Sequence, residues 1–239
     1  MSAVPSLAGK AALVTGGTRG IGYAIADKLA EAGARVAVGG RSPGTARSAA
    51  ERMGRGTVAL VADLARAAEC DRLVEEAADA LGRLDILVNN AGVGHFKPVS
   101  ELSAEEWNAQ IDLNLSGVFH TSKAALPHLG ASGDGHIVNI GSLAGRHAFA
   151  GGTAYNASKF GLTGLTEAMM MDVRYDGVRV SIVMPGSVAT EFGGRPPGAG
   201  ADWRLTAADC ADAVLHIVGY PHQAHASRIE LRPSAPRRR

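Results

Sequence analysis

Short apolar runs alternate with longer amphipathic segments along the whole of this chain. Seven runs are rich in valine, leucine and isoleucine, at about residues 11–16, 35–39, 57–62, 84–88, 135–141, 178–184 and 228–232. Uninterrupted runs of this kind predict strands that are covered on both faces. The segments between them predict helices at about residues 20–32, 67–82, 103–129, 153–176 and 206–219. Strands that alternate with helices are typical of βαβ units, so we predict a three-layer α/β fold around a mostly parallel sheet.

Two of the predicted helices begin with a capping box. Ser103 stands three positions before Glu106, and Thr206 stands three positions before Asp209. The length suits a single domain over residues 1–239, with an ordered core at 7–234. The proline and arginine residues at 235–239 predict a frayed tail.

Composition narrows the classes of function. The 239 residues are 46% apolar, and 24 lysines and arginines balance 23 aspartates and glutamates. A net charge near zero argues against nucleic acid or an anionic membrane as a partner, so we expect a small-molecule substrate. The eight histidines follow no metal-ligand spacing and predict no metal site.

The expected compartment follows from targeting signals and cysteine content. The first residues lack the basic and apolar regions of a signal peptide, and no stretch approaches the ~18 apolar residues of a membrane span. Cys70 and Cys210 are too few for a disulfide framework and predict buried, reduced thiols. These features predict a cytoplasmic protein.

A glycine-rich turn follows the first predicted strand. It reads Thr15-Gly16-Gly17-Thr18-Arg19-Gly20-Ile21-Gly22 and leads into an alanine-rich helix. Glycines permit a tight turn and a close approach of the backbone to a pyrophosphate, while free amides at the helix start offer donors. Such a turn alone is weak support for a nucleotide, because a glycine-rich turn without a ligand is also compatible with it.

Further motifs follow in order, each at the end of a predicted strand or on a predicted helix. They are Asp63-Leu64, Asn89-Asn90-Ala91-Gly92, Asn114-Leu115-Ser116-Gly117, Ser142, Tyr155-Asn156-Ala157-Ser158-Lys159 and Pro185-Gly186-Ser187-Val188-Ala189-Thr190. With the T-G-x-x-x-G-x-G turn, this set resembles the short-chain dehydrogenase/reductase family over nearly the whole chain. The resemblance implies a doubly wound Rossmann fold with about seven parallel strands in the order 3-2-1-4-5-6-7.

The resemblance also implies which residues bind a nicotinamide dinucleotide. Asp63 would touch the adenine, the motif ending at Gly92 would border the cofactor, and the segment after strand six would hold the nicotinamide. Residues 186–205 would form a lid over the substrate. The implied contacts are Gly16, Thr18, Arg19, Gly20, Ile21, Gly22, Arg41, Ser42, Asp63, Leu64, Asn90, Ala91, Gly92, Tyr155, Lys159, Pro185, Gly186, Val188 and Thr190.

The end of the second strand predicts which cofactor is preferred. NAD-binding relatives carry an acidic residue there, which binds the ribose and repels a 2′-phosphate. This chain has Gly39-Gly40-Arg41-Ser42 instead. Because Arg41 can pair with a phosphate and no carboxylate opposes it, we predict NADP(H) over NAD(H), with Arg19 as a second cation. The alternative is that both arginines are solvated surface charges.

A tyrosine and a lysine four positions apart supply the candidate acid–base chemistry. Tyrosine has a pKa of about 10, so it is a poor base near neutral pH unless a nearby charge stabilises its phenolate. Lys159 lies on the same helix face as Tyr155. The resemblance implies that Tyr155 protonates the carbonyl oxygen during hydride transfer, that Ser142 holds that oxygen, and that Asn114 orders a water that carries the proton out.

The substrate is less defined by the sequence. The lid is short, and His95, Phe96, His147, Phe149 and Phe192 lie on segments that border the substrate pocket in relatives. We favour a general aldehyde or ketone reductase.

Two other functions are compatible with the sequence. A 3-oxoacyl carrier-protein reductase is the runner-up, although Pro127 and Met171 stand where its carrier-docking arginines are expected. A non-catalytic NADP(H)-binding sensor is the remote one, because sensors usually lose the tyrosine or the lysine. The resemblance further implies a homotetramer or homodimer.

Overall fold

Seven parallel strands form one sheet in the order β3-β2-β1-β4-β5-β6-β7. The computed structural model describes residues 5–194 and 203–236. The strands are β1 Ala11–Thr15, β2 Arg35–Gly40, β3 Val58–Val61, β4 Ile86–Asn89, β5 Gly135–Ile140, β6 Val178–Pro185 and β7 Arg228–Leu231. The predicted strand order and the Rossmann fold are confirmed.

Helices cover both faces of the sheet. They are α1 Gly20–Glu31, α2 Pro43–Met53, α3 Ala67–Leu81, α4 Ala104–Ile111, α5 Gly117–Ser132, α6 Thr153–Val173 and α7 Ala207–Val218. Neighbouring residues of one strand enter different cores: Val14 packs with α1, α2 and α7, whereas Leu13 packs with α3, α5 and α6. Because both of their faces are buried, the central strands β1 and β4 show no alternation of polar and apolar residues.

Helix α2 is absent from the sequence prediction. It begins after Ser42 with Pro43 at its first position, and it buries Ala46, Ala49 and Met53 on one face. Proline is favoured at the first helical position, and the spacing of the buried residues is helical. These signals were present, but Pro43-Gly44 also reads as a turn, and the face buries mostly alanines, which give a weak apolar pattern.

The long helix predicted at residues 103–129 is wrong as one regular helix. A π-helical turn at Asp112–Ser116 separates α4 from α5, and α5 continues to Ser132. Asn114 lies in this wider turn and is buried. Gly117, directly after the turn, packs against the carbonyl oxygen of Leu64, and a Cβ on residue 117 would overlap that oxygen. Turns of this kind occur often at functional sites.

Several smaller predictions are confirmed. Both capping boxes form, Ser103 with Glu106 and Thr206 with Asp209. Cys70 and Cys210 are free and buried, and burial raises the pKa of the Cys70 thiol to about 11. No helix among residues 5–194 and 203–236 is long and apolar enough to cross a membrane. Residues 195–202 of the expected lid and 237–239 of the expected tail lie outside the described residues.

Candidate functional site

The glycine turn leaves β1 at the carboxyl edge of the sheet, where the other parallel strands also end. Gly16 and Gly20 have φ values of +62° and +55°, a backbone region that favours glycine. Helix α1 begins at Gly20 with neither a side-chain cap nor an acidic residue in its first turn. Its first amides therefore remain as donors beside a positive helix end, an arrangement suited to a phosphate. Ile21, half-buried, packs against the core.

Asn90 connects the glycine turn to the end of β4. Its side-chain amide donates to the carbonyls of Thr15, at 3.0 Å, and Gly16, at 3.1 Å. A Cβ on Gly22 would overlap this amide and the Gly16 carbonyl. Asn90 and Ala91 also donate from their backbone amides to Thr15 Oγ1. Asn90 thus holds the shape of the turn, and Thr15 shares this role although sequence analysis did not single it out.

The expected adenosine end lies where β2 approaches the turn. A Cβ on Gly40 would lie 2.6 Å from Thr18 Cγ2, so the Thr18 side chain packs directly on the backbone of Gly40. Arg41 and Ser42 follow directly and are exposed, and Ser42 precedes α2. The carboxylate of Asp63, also exposed, accepts from the amide of Ala65 at 3.3 Å. Leu64 is buried.

Arg19, predicted as a second cation for the cofactor phosphate, is exposed and pairs with a carboxylate of the segment after β6. Its guanidinium forms an exposed ion pair with Glu191 at 3.4 Å. Thr190, the residue before Glu191, lies beside Gly20: its Cγ2 would be 3.5 Å from a Cβ built on that glycine. The segment after β6 therefore returns to the glycine turn and borders it.

That segment is fixed at its base by backbone pairing. The backbone amide of Gly186 donates to the carbonyl of Leu231 at 2.9 Å. Val188 forms an isolated parallel β-bridge with Leu205. Pro185 is the last, buried residue of β6. The segment that the sequence assigned to the nicotinamide thus lies at the same sheet edge as the glycine turn.

Tyr155 and Lys159 lie in the first two turns of α6, beside the end of β5. The Lys159 ammonium is 5.9 Å from the centre of the Tyr155 ring, and it donates to the Ile140 carbonyl at 2.9 Å. Burial lowers the pKa of Lys159 to about 8, because a low dielectric disfavours the charged form. Ser142 follows β5, and its hydroxyl accepts from the amide of Ala144 at 3.1 Å.

Asn114 is buried between the loop after β4 and helix α6. Its side-chain amide pairs with the backbone of Val93, accepting at 2.8 Å and donating at 2.9 Å. It also donates to Ser158 Oγ at 3.1 Å, and Ser158 donates to the Tyr155 carbonyl at 2.8 Å. Asn114 therefore links the β4 loop to the helical turn that carries Tyr155.

Ser158 and Asn156 take part in the site, and sequence analysis assigned neither a role of its own. Asn156 donates to the Ala144 carbonyl at 2.7 Å and so fixes the loop that follows Ser142. Both residues are buried polar side chains early in α6. Their only sequence signal is that serine and asparagine are poor helix formers, which is too weak to reveal a partner.

A buried amide network ties the strands together beneath the site. The Asn89 side chain donates to Asn139 at 2.9 Å and to Ser122 at 3.0 Å, and it accepts from Thr121 at 2.7 Å. Asn139 in turn donates to Thr166 of α6 at 2.9 Å. Buried polar networks that are satisfied in this way rigidify the structure around them. The network fixes β4, β5, α5 and α6 relative to one another.

Known proteins resemble this chain in sequence and in structure. An uncharacterised oxidoreductase of Staphylococcus saprophyticus is 33% identical over 228 residues, which are 94% of this chain and 97% of that protein. A metagenomic short-chain oxidoreductase in complex with NADP is 36% identical with a TM-score of 0.84, over 96% of this chain and 99% of the other. An alcohol dehydrogenase from the archaeon Thermococcus sibiricus, complexed with 5-hydroxy-NADP, is 31% identical with a TM-score of 0.87 over the same shares.

The family comparison agrees with these likenesses. The family model described as short chain dehydrogenase matches residues 10–196, which include the glycine turn, the Tyr155 and Lys159 pair and the segment after β6. With this match, the motif order and the strand order, the chain belongs to the short-chain dehydrogenase family of oxidoreductases.

Proposed function

We propose that this protein is an NADP(H)-dependent oxidoreductase that interconverts a ketone or aldehyde and an alcohol. The observation that carries this proposal is the buried Lys159 ammonium, 5.9 Å from the Tyr155 ring. This pair lies at the same sheet edge as a glycine turn suited to a pyrophosphate. A positioned acid–base group beside a nucleotide site can move the one proton that accompanies each hydride, and Tyr155 with the adjacent ammonium is suited to this role.

The residues present fit a nicotinamide dinucleotide. The cradle has no room for a side chain at Gly16 or Gly22, the positive φ of Gly20 favours glycine, and the uncapped start of α1 offers amide donors. The segment from Pro185 to Thr190 would hold the nicotinamide end. When bound, the cofactor supplies or accepts the hydride.

Tyr155 would act as the general acid in the reductive direction and as the general base in the reverse. Lowering its pKa from about 10 to near neutrality corresponds to a shift of about three units, or roughly 4 kcal/mol. Lys159 is the nearby charge that can supply this stabilisation of the phenolate. With a pKa of about 8, its ammonium is mostly protonated near neutral pH. The Ser142 hydroxyl would donate a hydrogen bond to the substrate oxygen as negative charge develops there.

The end of β2 supports a preference for NADP(H). Gly40, Arg41 and Ser42 present no carboxylate to repel a 2′-phosphate, and Arg41 is exposed where such a phosphate would lie. Two of the similar structures contain NADP or 5-hydroxy-NADP. Arg19, paired with Glu191, would contribute to the phosphate only by exchanging that partner.

Replacing Arg41 with aspartate should reverse this preference. We expect the KM for NADPH to rise on the order of thirtyfold to a hundredfold, because a charge-assisted hydrogen bond becomes a like-charge contact. The KM for NADH should change little or fall. Steady-state kinetics with both cofactors make the measurement, and Arg35→Asp, at the opposite end of the same strand, is the matched control. Equal use of NADH and NADPH by the unaltered protein would refute the assignment.

A substrate panel tests the reaction itself. We would measure NADPH oxidation with aldehydes, simple ketones, diketones and a 3-oxoacyl thioester. Turnover of simple carbonyl compounds is the expected result. Efficient turnover of the thioester alone would instead favour a 3-oxoacyl carrier-protein reductase. Binding of NADPH with no turnover across the panel would contradict the proposal and favour a sensor.

A further inference from the structure

Two phenylalanines, Phe96 and Phe192, lie against Tyr155, and a third, Phe149, lies against Phe96. Phe96 follows β4, Phe149 follows the turn after β5, and Phe192 follows β6. The Phe96 and Phe192 ring centres lie 5.3 and 5.7 Å from that of Tyr155. Phe96 also lies 5.9 Å from Phe149 and 6.4 Å from Phe192, so the three rings form one aromatic wall.

The aromatic wall is both exposed and closely packed. Phe96, Phe149 and Phe192 are 36%, 47% and 38% exposed. A Cβ on Gly94 would lie 2.8 Å from both the Phe96 and the Phe192 ring, so only glycine allows these rings to approach each other there. Grouped, exposed apolar side chains mark a binding surface more often than single ones do.

Among the described residues, three charged side chains on the loops that carry the aromatic wall form ion pairs. Each phenylalanine has a charged residue nearby on its own loop, and each of those charges is paired. The pairs are Lys97 with Glu106 at 2.6 Å, Arg146 with Glu230 at 2.6 Å, and Glu191 with Arg19 at 3.4 Å. The flanking groups therefore do not favour an anionic substrate at this wall.

We propose that the aromatic wall selects carbonyl compounds in which an aryl ring is attached directly to the carbonyl carbon. This inference rests on the proposed reductase function. A carbonyl oxygen at the Tyr155 hydroxyl would place an attached ring beside Phe96 and Phe192. Aromatic rings attract one another in offset or edge-to-face geometry at centre distances of about 4.5–7 Å. A substrate ring that contacts Phe96 or Phe192 gains this attraction only if it is aromatic, so the aromatic wall favours an aryl ring over a saturated ring of similar size.

The reaction balances for an aryl ketone. When bound, NADPH would supply the hydride for the new C–H bond at the carbonyl carbon, and the C=O π pair would move to the oxygen. That oxygen takes the proton of the Tyr155 hydroxyl. The ketone is reduced to a secondary alcohol, NADPH is oxidised to NADP⁺, and the phenolate is later reprotonated from solvent.

The first test compares acetophenone with cyclohexyl methyl ketone, which has a similar size and no aromatic ring. The two differ in intrinsic reactivity, so the readout is the change in their kcat/KM ratio between proteins. Phe96→Leu should lower the aryl-to-cyclohexyl ratio by about threefold to tenfold, because one aromatic pair is lost and apolar volume is kept. Phe192→Leu, at an exposed position, serves as a second variant and should act in the same direction. The control is Phe119→Leu, a similarly exposed phenylalanine on α5.

Binding without turnover provides an independent readout. We expect 1-phenylethanol to bind the NADP⁺-loaded protein more tightly than 1-cyclohexylethanol, and Phe96→Leu to remove most of this difference. The inference would be overturned if both Phe variants kept the aryl-to-cyclohexyl kcat/KM ratio of the unaltered protein and kept its difference in affinity for the two alcohols. Reductase activity in these variants would leave the proposed function intact. A protein that reduces no carbonyl compound yet still prefers 1-phenylethanol would overturn the proposed function and retain the aromatic wall as an aryl-binding surface.

Discussion

The Tyr155→Phe variant should lose on the order of a thousandfold in kcat while it still binds NADPH. The hydroxyl is the only part removed, so the ring contacts with Phe96 and Phe192 stay in place. Loss of a positioned general acid costs about a hundredfold to ten-thousandfold. Single-turnover reduction of an active panel substrate measures the chemical step, and titration of NADPH fluorescence measures cofactor affinity.

The comparison between these two measurements makes the test specific. A variant that lost both turnover and NADPH binding would indicate a disturbed cofactor site and would not identify the acid. Turnover within about tenfold of the unaltered protein would exclude Tyr155 as the proton donor, since a positioned acid contributes more than that. The experiment therefore tests the mechanism separately from the fold.

Replacement of Lys159 with methionine should be nearly as damaging to turnover. Without the ammonium, the Tyr155 pKa should return toward about 10, so the phenolate population near neutral pH falls about a thousandfold. In the alcohol-oxidising direction, the rate of the variant should therefore rise steeply with pH well above neutrality. A pH–rate profile makes the measurement, and Lys123→Met, an exposed lysine on α5, is the control. A profile with the same shape as that of the unaltered protein would contradict the role of Lys159.

The same variant should also reveal the cost of burying Lys159. In the cofactor-free folded protein its pKa is lowered to about 8, from 10.5 in the unfolded chain. Between these values the unfolded state binds more protons, so the free energy of unfolding rises with pH by about 1.4 kcal/mol per unit. Below pH 8 the charged lysine is destabilising by an amount that no longer changes with pH.

Urea unfolding at several pH values checks this sign. The unaltered protein should gain stability relative to Lys159→Met as the pH rises from about 8 to about 10. Removal of the side chain also leaves the Ile140 carbonyl without its donor, which shifts the difference by a constant amount. Parallel curves for the two proteins would mean that the pKa of Lys159 is not lowered in the folded state.

The sequence predicted the sheet well because its strands are buried on both faces. Leu13 and Val14 are neighbours that enter different cores, so apolar residues run without interruption and the strand is visible in the sequence. Helix α2 was missed because its buried face is made of alanines, whose burial depends on what lies opposite them. A pattern of small residues therefore carries less information than one of valines and leucines.

Sequence analysis also grouped the candidate site residues before their geometry was available. Parallel strands all end at the carboxyl edge of the sheet, so motifs that directly follow strands lie at that edge whatever the conformation of the loops. The π-helical turn at Asn114 could not be predicted in this way. It depends on contacts with Val93 and with the Leu64 carbonyl, which belong to other parts of the chain.

The sequence by itself determined the family, the strand order and the pairing of Tyr155 with Lys159. The family followed from the ordered set of motifs, and the resemblance to that family implied the strand order. The pairing of Tyr155 with Lys159 depends on local spacing, because a helix places residues four apart on one face. The tertiary structure decided the burial of Lys159 against Ile140, the ion pair that occupies Arg19 and the aromatic wall around Tyr155. Each of these is a contact between segments distant in the chain, and no local pattern of residues encodes such contacts.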